Sequence, residues 1–242
     1  MRRIFLFVLA TIAAGSVMAQ TDSAARSKMI SHKDIPRSGD HFMIQLGYLG
    51  WDGAPDSINT SGFPRTANVY FMFGFPFKTN PRWSASIGAG FGTDNMYFDK
   101  TYIGVKDPTS TLVFKNLSDT NSFKKYKLST VYLEAPVELR FTSNPDNYNR
   151  SFKAAIGVKA GLLMSAGVKG KTLENKAGST VSNYTLKEKS KNFFNKNRLA
   201  ATARVGYGVF TLFGSYQITT LFKEGVAPEI RPFSIGLTLS GL

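Results

Sequence analysis

The 242-residue chain contains no cysteine. Disulfide staples, thiolate metal centres and cysteine nucleophiles are therefore excluded. Histidine is nearly absent as well, with only His32 and His41 available for imidazole acid–base chemistry. Neither is placed with an obvious serine and acidic partner on a lipid-facing strand, and both read as surface residues. No GxSxG, phosphate loop, EF-hand or metal-ligand spacing occurs. The sequence thus assigns no catalytic residue, no metal ligand and no cofactor. Beyond Ala19 no apolar run reaches 18 residues, so no helix can cross a bilayer, and a membrane-embedded chain would have to cross as strands. Helical periodicity is missing from the same region.

Acidic residues are outnumbered, 16 against 30 Lys and Arg, for a formal net charge of +14. The excess is concentrated. Residues 168–197 hold seven lysines against Glu174 and Glu188, and residues 95–127 hold six lysines against Asp99, Asp107 and Asp119. Clustering in two polar, loop-like segments argues against nucleic acid. It favours anionic lipid headgroups, lipopolysaccharide, surface glycan or an acidic protein as the partner, or simple solvation.

What is present begins with an export signal. Arg2 and Arg3 precede an apolar run from Ile4 to Ala14, and "SVMAQ" offers a small-residue cleavage site after Ala19. A cleaved signal peptide is predicted over 1–19, and a flexible polar lead-in over 20–40. The missing cysteine at the cleavage site rules out a lipoprotein anchor.

From residue 41 onward the pattern is period two. The clearest segment is "RWSASIGAGFGTD", where Trp83, Ala85, Ile87, Ala89 and Phe91 alternate with Ser84, Ser86, Gly88, Gly90 and Gly92. Eight strands are predicted, at 41–51, 67–77, 82–94, 128–141, 151–167, 198–207, 210–221 and 232–241. A two-residue turn at Gly208–Val209 would oppose Tyr207 and Phe210, both on the apolar face. Long and short connections alternate, as they do in transmembrane barrels.

Two eight-stranded solutions compete: a soluble ligand-binding barrel with its apolar face inward, and a membrane barrel with that face toward lipid. Here the polar face is mostly Ser, Gly, Thr and Ala, which suits a narrow lumen. Aromatics near the strand ends, Phe77 and Trp83 on one side and Tyr48, Trp51, Phe91 and Tyr97 on the other, fit two interfacial girdles. The expectation is an all-β, eight-stranded antiparallel up-and-down transmembrane barrel over 41–242. The charges of its polar face, Glu134, Glu138, Arg140, Lys153, Lys159, Arg198 and Arg204, would then pair inside the lumen. "YLEAPVELRF" puts Pro136 between the two glutamates in a closed barrel, which predicts a bulge or a lost ladder bond there.

"YLEAPVELRF", "AAIGVKAGLL" and "ARVGYGVFTLFGSYQITTLFKEG…PEIRPFSIGLTL" resemble the PorT-like outer-membrane β-barrel family over roughly residues 41–242. The resemblance implies a Gram-negative outer-membrane barrel, and some members of that family are associated with type IX secretion and gliding. The chain ends in Leu242 rather than the aromatic that ends many outer-membrane barrels. The expected function is a non-enzymatic anchor or partner subunit of an envelope assembly. Competing readings are a small pore, a lipid-modifying enzyme and a soluble periplasmic barrel for an apolar ligand.

Overall fold

The structure is a computed structural model that describes residues 41–55 and 58–240. The signal peptide expected over 1–19, the lead-in over 20–40 with His32, and the terminal Leu242 lie outside the described residues.

Among the described residues eleven strands form in chain order: β1 (Phe42–Asp52), β2 (Arg65–Pro76), β3 (Trp83–Phe98), β4 (Thr101–Ile103), β5 (Phe114–Asn116), β6 (Ser122–Thr142), β7 (Phe152–Glu174), β8 (Thr180–Lys189), β9 (Asn197–Tyr207), β10 (Phe210–Gln217) and β11 (Arg231–Ser240). Eight of them close into an antiparallel barrel in the order β6, β3, β2, β1, β11, β10, β9, β7, with β7 pairing back onto β6. The expected eight-stranded barrel is therefore the observed one. Closure leaves the barrel wall with no free edge. The turn at Gly208–Val209 pairs Tyr207 with Phe210, and Gly208 adopts the positive φ of 62° that the tight turn requires.

Alternation sends large apolar side chains outward. Phe91 is 55% exposed, Ile156 64% and Leu237 56%. Water would not tolerate so continuous an apolar belt on a closed barrel, whereas lipid is its natural solvent. Small and polar residues point inward.

Pro136 is accommodated without a shift of register at that point. Between β3 and β6 the pairing runs through Ile87–Val137 and Gly90–Glu134 but skips Ala135 and Pro136. On the other side Pro136 stays paired with Lys159 of β7. The missing donor thus interrupts the β3 ladder locally. The bulge lies elsewhere. Val131 pairs with Ser165 and Tyr132 with Leu163, leaving Met164 as an extra residue in β7. Below it Lys153, Ala155, Lys159 and Leu163 are buried; above it Ala166 and Val168 are. The inward positions change from odd to even.

The two basic segments differ from the polar loops expected of them. β3, β6 and β7 run on past the barrel's outer apolar belt, β8 folds back onto β7, and β4 and β5 make a small hairpin. Their scattered apolar residues follow no period, because they serve a cap rather than a single strand face. Ile58, Ile103, Val105, Leu112, Phe193, Phe194, Leu221, Phe222 and Ile230 fold inward onto Leu49, Met96, Leu128 and Leu163 to form a buried apolar cluster. Backbone bonds tie the loops together: Leu112 N to Val226 O at 2.7 Å, Lys223 N to Phe193 O at 2.9 Å, and Leu221 N to Ile230 O at 2.8 Å. Asn195 Nδ2 donates to the carbonyls of Thr220 at 2.9 Å and Phe222 at 2.8 Å. The long-loop end of the barrel is thereby closed by an apolar cap.

Candidate functional site: a lumenal charge ladder and a cationic rim

Beneath the cap the lumen holds two charged layers. In the lower, Glu138 accepts from Arg140 Nε at 2.8 Å, from Arg204 Nη2 at 2.7 Å and from Arg204 Nε at 3.2 Å. Lys153 lies nearby, its ammonium 5.3 Å from the centroid of the Tyr148 ring. In the upper layer, Glu134 accepts from the Tyr70 hydroxyl and lies 3.4 Å from Lys159 Nζ and 3.1 Å from Arg198 Nη1. Arg198 Nη1 also reaches Asp94 at 2.9 Å, and its guanidinium stacks 4.7 Å over the Tyr132 ring. A chain of neutral groups continues around the wall, from Thr66 to Asn68, from Asn68 to Gln45 and from Gln45 to Thr238.

The wall makes room for these groups. A Cβ at Gly92 would come within 2.6 Å of Glu134 Oε2, and one at Gly157 within 2.9 Å of the Glu138 Cα. Glycine at 92 admits the Glu134 carboxylate, and glycine at 157 admits the close approach of the β6 backbone, the Val137 carbonyl oxygen lying 2.2 Å from where its Cβ would be. All seven charged residues expected to line the lumen are buried there. Sequence reasoning missed Asp94, Tyr70 and Tyr132, although each shares the inward parity of its strand.

Five cations face three carboxylates in this region. Buried charges persist only when paired and hydrogen-bonded, and removing one partner of such a pair costs about 3–5 kcal/mol. The network ties β2, β3, β6, β7 and β9 together inside the barrel. His41 stands apart from it, its Nδ1 3.2 Å from the Met72 carbonyl oxygen and its ring stacked on Phe71.

The aromatic residues are distributed as follows. Trp83 packs on Phe141 at 5.2 Å and Phe77 is exposed beside it at the short-turn end. Tyr48 and Phe91 face outward near the long loops, and Tyr97 is held at the rim by Arg65, whose Nη2 donates to its hydroxyl at 3.0 Å. Trp51 departs from the expected girdle. It shares the inward parity of Leu49 and packs on Phe98 at 5.4 Å and Phe222 at 6.2 Å, as part of the cap. A tryptophan at a strand's end follows the strand's alternation, not the membrane interface.

Around the outside of the barrel extension runs a row of cations. Tyr97 of β3 opposes Lys127 of β6, Lys127 opposes Lys169 of β7, and Lys169 opposes Lys187 of β8; Lys125 and Lys171 form the next pair up. Residues opposed across strands share a face, so these side chains stand together. Lys171 first, then partial desolvation, Lys187 and Lys127, hold the Lys169 ammonium below the usual lysine pKa.

The family described as outer membrane protein beta-barrel domain matches residues 41–223. With a closed eight-stranded barrel and an apolar outer belt, the chain belongs to that family and is an outer-membrane β-barrel protein. Only part of the last loop and β11, which closes the barrel, follow the matched segment among the described residues. No curated protein matches the chain. Outer-membrane barrels keep short turns on the periplasmic side and longer connections outside. The cap and the cationic row therefore lie on the outer side.

Proposed function

We propose that the protein is a plugged, non-enzymatic outer-membrane barrel that acts through its outer surface, as an anchor or partner subunit of a cell-envelope assembly. The observation that carries this reading is the filled lumen: two layers of paired charges beneath an apolar cap built from four outer connections. A barrel packed in this way has its interior committed to stability. What remains for recognition is the rim, with its lysines and aromatics. The resemblance to PorT-like barrels, some of them linked to type IX secretion and gliding, supports an assembly role. An N-terminal signal peptide would deliver the chain to the envelope.

The experiment is single-channel recording of the purified, refolded protein in planar bilayers, paired with cross-linking in whole cells. The expected result is no steady ohmic conductance, together with one or more envelope proteins cross-linked through the outer loops. Steady conductance would favour the pore reading instead.

A further inference from the structure

The cationic row borders a groove of about 500 Å³ on the outer face of the barrel extension. Arg65, Tyr97, Lys125, Lys127, Lys169 and Lys171 line it, with Phe63 on the far wall. Three of its features bear on what it holds.

The first is charge. None of Lys125, Lys127, Lys169 and Lys171 is salt-bridged to a carboxylate among the described residues. Lys124, which also lines the groove, is paired with Glu174 at 3.1 Å, so the uncompensated charge is that of the other four lysines. Across the sheet, the Glu188 carboxylate is aligned with inward-facing Val168, so it turns away from the groove. Assembling like charges on opposed strands is destabilising unless an anion offsets them.

The second is height. Val131 is an apolar outward residue at the top of the belt on β6, and Lys127 precedes it by four residues, toward the strand's outer end. That separation is about 13 Å along a tilted strand. The ammonium groups thus stand at headgroup level, directly above the lipid-facing column of Val131, Leu133 and Val137. An occupant of the groove is continuous with the outer leaflet.

The third is preorganisation. Arg65 Cζ lies 5.2 Å and Lys127 Nζ 5.7 Å from the Tyr97 ring centroid, and Lys127 Nζ donates to Asn95 Oδ1 at 2.6 Å. Two of the cations are already fixed. Phe63, 63% exposed and 5.6 Å from Tyr48, supplies an apolar wall on the membrane side.

We propose that this groove is a binding site for the phosphate-bearing headgroup of an outer-leaflet glycolipid, with the phosphates on Lys127, Lys169 and Lys171 and the sugar against Tyr97 and Phe63. The site rests on the outer-surface reading above. It also gives that surface a chemical partner: the barrel would carry bound lipid into its assembly.

The test uses the full chain refolded in nonionic detergent, with lipid retention read by native mass spectrometry. The probes are a bisphosphorylated diglucosamine lipid, the same lipid after enzymatic dephosphorylation, inorganic phosphate, and polyglutamate. The expected result is retention of the phosphorylated lipid, weakened on the order of a hundredfold in Lys127→Gln/Lys169→Gln/Lys171→Gln, at about fivefold per lysine. Dephosphorylated lipid should bind the native chain no better than phosphorylated lipid binds the triple variant. Lys106→Gln/Lys223→Gln, away from the groove, should retain lipid normally.

Equal retention of both lipids, or equal retention by the triple variant, overturns the site. Displacement by inorganic phosphate at matched phosphate concentration assigns the groove to a free anion and overturns the headgroup. Displacement by polyglutamate at matched charge overturns it in favour of an acidic protein. Intact heat-modifiability of each variant shows that the barrel has folded. Because the measurement needs no protein partner, loss of lipid binding with cross-linking preserved rejects the lipid site alone. Loss of cross-linking with lipid binding preserved rejects only the assembly role.

Discussion

Glu138 and Arg204 are 66 positions apart in sequence and meet inside the lumen over the intervening strand β7 through two hydrogen bonds, Nη2 to Oε2 at 2.7 Å and Nε to Oε1 at 3.2 Å. Arg140 adds a third to the same carboxylate. Glu138→Gln leaves two guanidinium groups facing a neutral amide and should cost about 3–5 kcal/mol. The urea midpoint of the refolded barrel in micelles, followed by gel shift, reads the loss. Adding Arg204→Met should cost less than the sum of the two single changes, because the pair acts as a unit.

The apolar cap should fail independently of the barrel. Phe222 contacts Phe194 at 5.1 Å, Phe114 at 6.1 Å and Trp51 at 6.2 Å. Phe222→Ala removes the ring that these three share, at a cost of about 3–5 kcal/mol. Limited proteolysis should then cut the outer connections faster, while the trimmed barrel keeps its gel shift.

Depth along β6 can be read by charge. Val137 is 46% exposed in the apolar belt, whereas Ser129 stands near the rim. Val137→Lys should destabilise the inserted barrel by about 2–4 kcal/mol and Ser129→Lys by about 0–1 kcal/mol. Equal costs at the two positions would contradict the placement of the membrane.

The β4–β5 hairpin carries a pH-sensitive contact. Burial, followed by its hydrogen bond to Asp107 at 2.9 Å, raises the Tyr102 hydroxyl from 10.0 to about 12. A folded-state pKa above the unfolded one gives stability that is complete below pH 10 and lost as pH rises through 12. Absorbance at 295 nm should show an ionisation step near pH 12 that Asp107→Asn moves to lower pH.

The barrel was legible because alternation is a local property. Phe91 beside Gly90 and Gly92, or Tyr207 opposed to Phe210 across a two-residue turn, reports its face with no knowledge of the rest of the chain. The inward charges followed from the same parity. Trp51 was misread where residue type was allowed to override parity. The cap was illegible for a different reason. Phe194 and Phe222 meet through an isolated bridge between two loops, and no period in either loop encodes the other. Pro136 signalled a disturbance, and the ladder is indeed interrupted beside it. The bulge at Met164 has no such marker, since methionine fits either face.

That single extra residue decides the sidedness of everything above it in β7. With an unbroken strand, Lys169 and Lys171 would point into the barrel mouth, and Ala166 and Val168 would point out toward lipid. Deleting Met164 would remove the bulge and leave Ala166 and Val168 inward and Lys169 and Lys171 outward by plain alternation, whereas smoothing the bulge away at full length would turn the strand's outer half inside out, burying lysines in the cap and stripping the rim of two of its cations. The outer chemistry of this face is written by a one-residue insertion rather than by the lysines themselves.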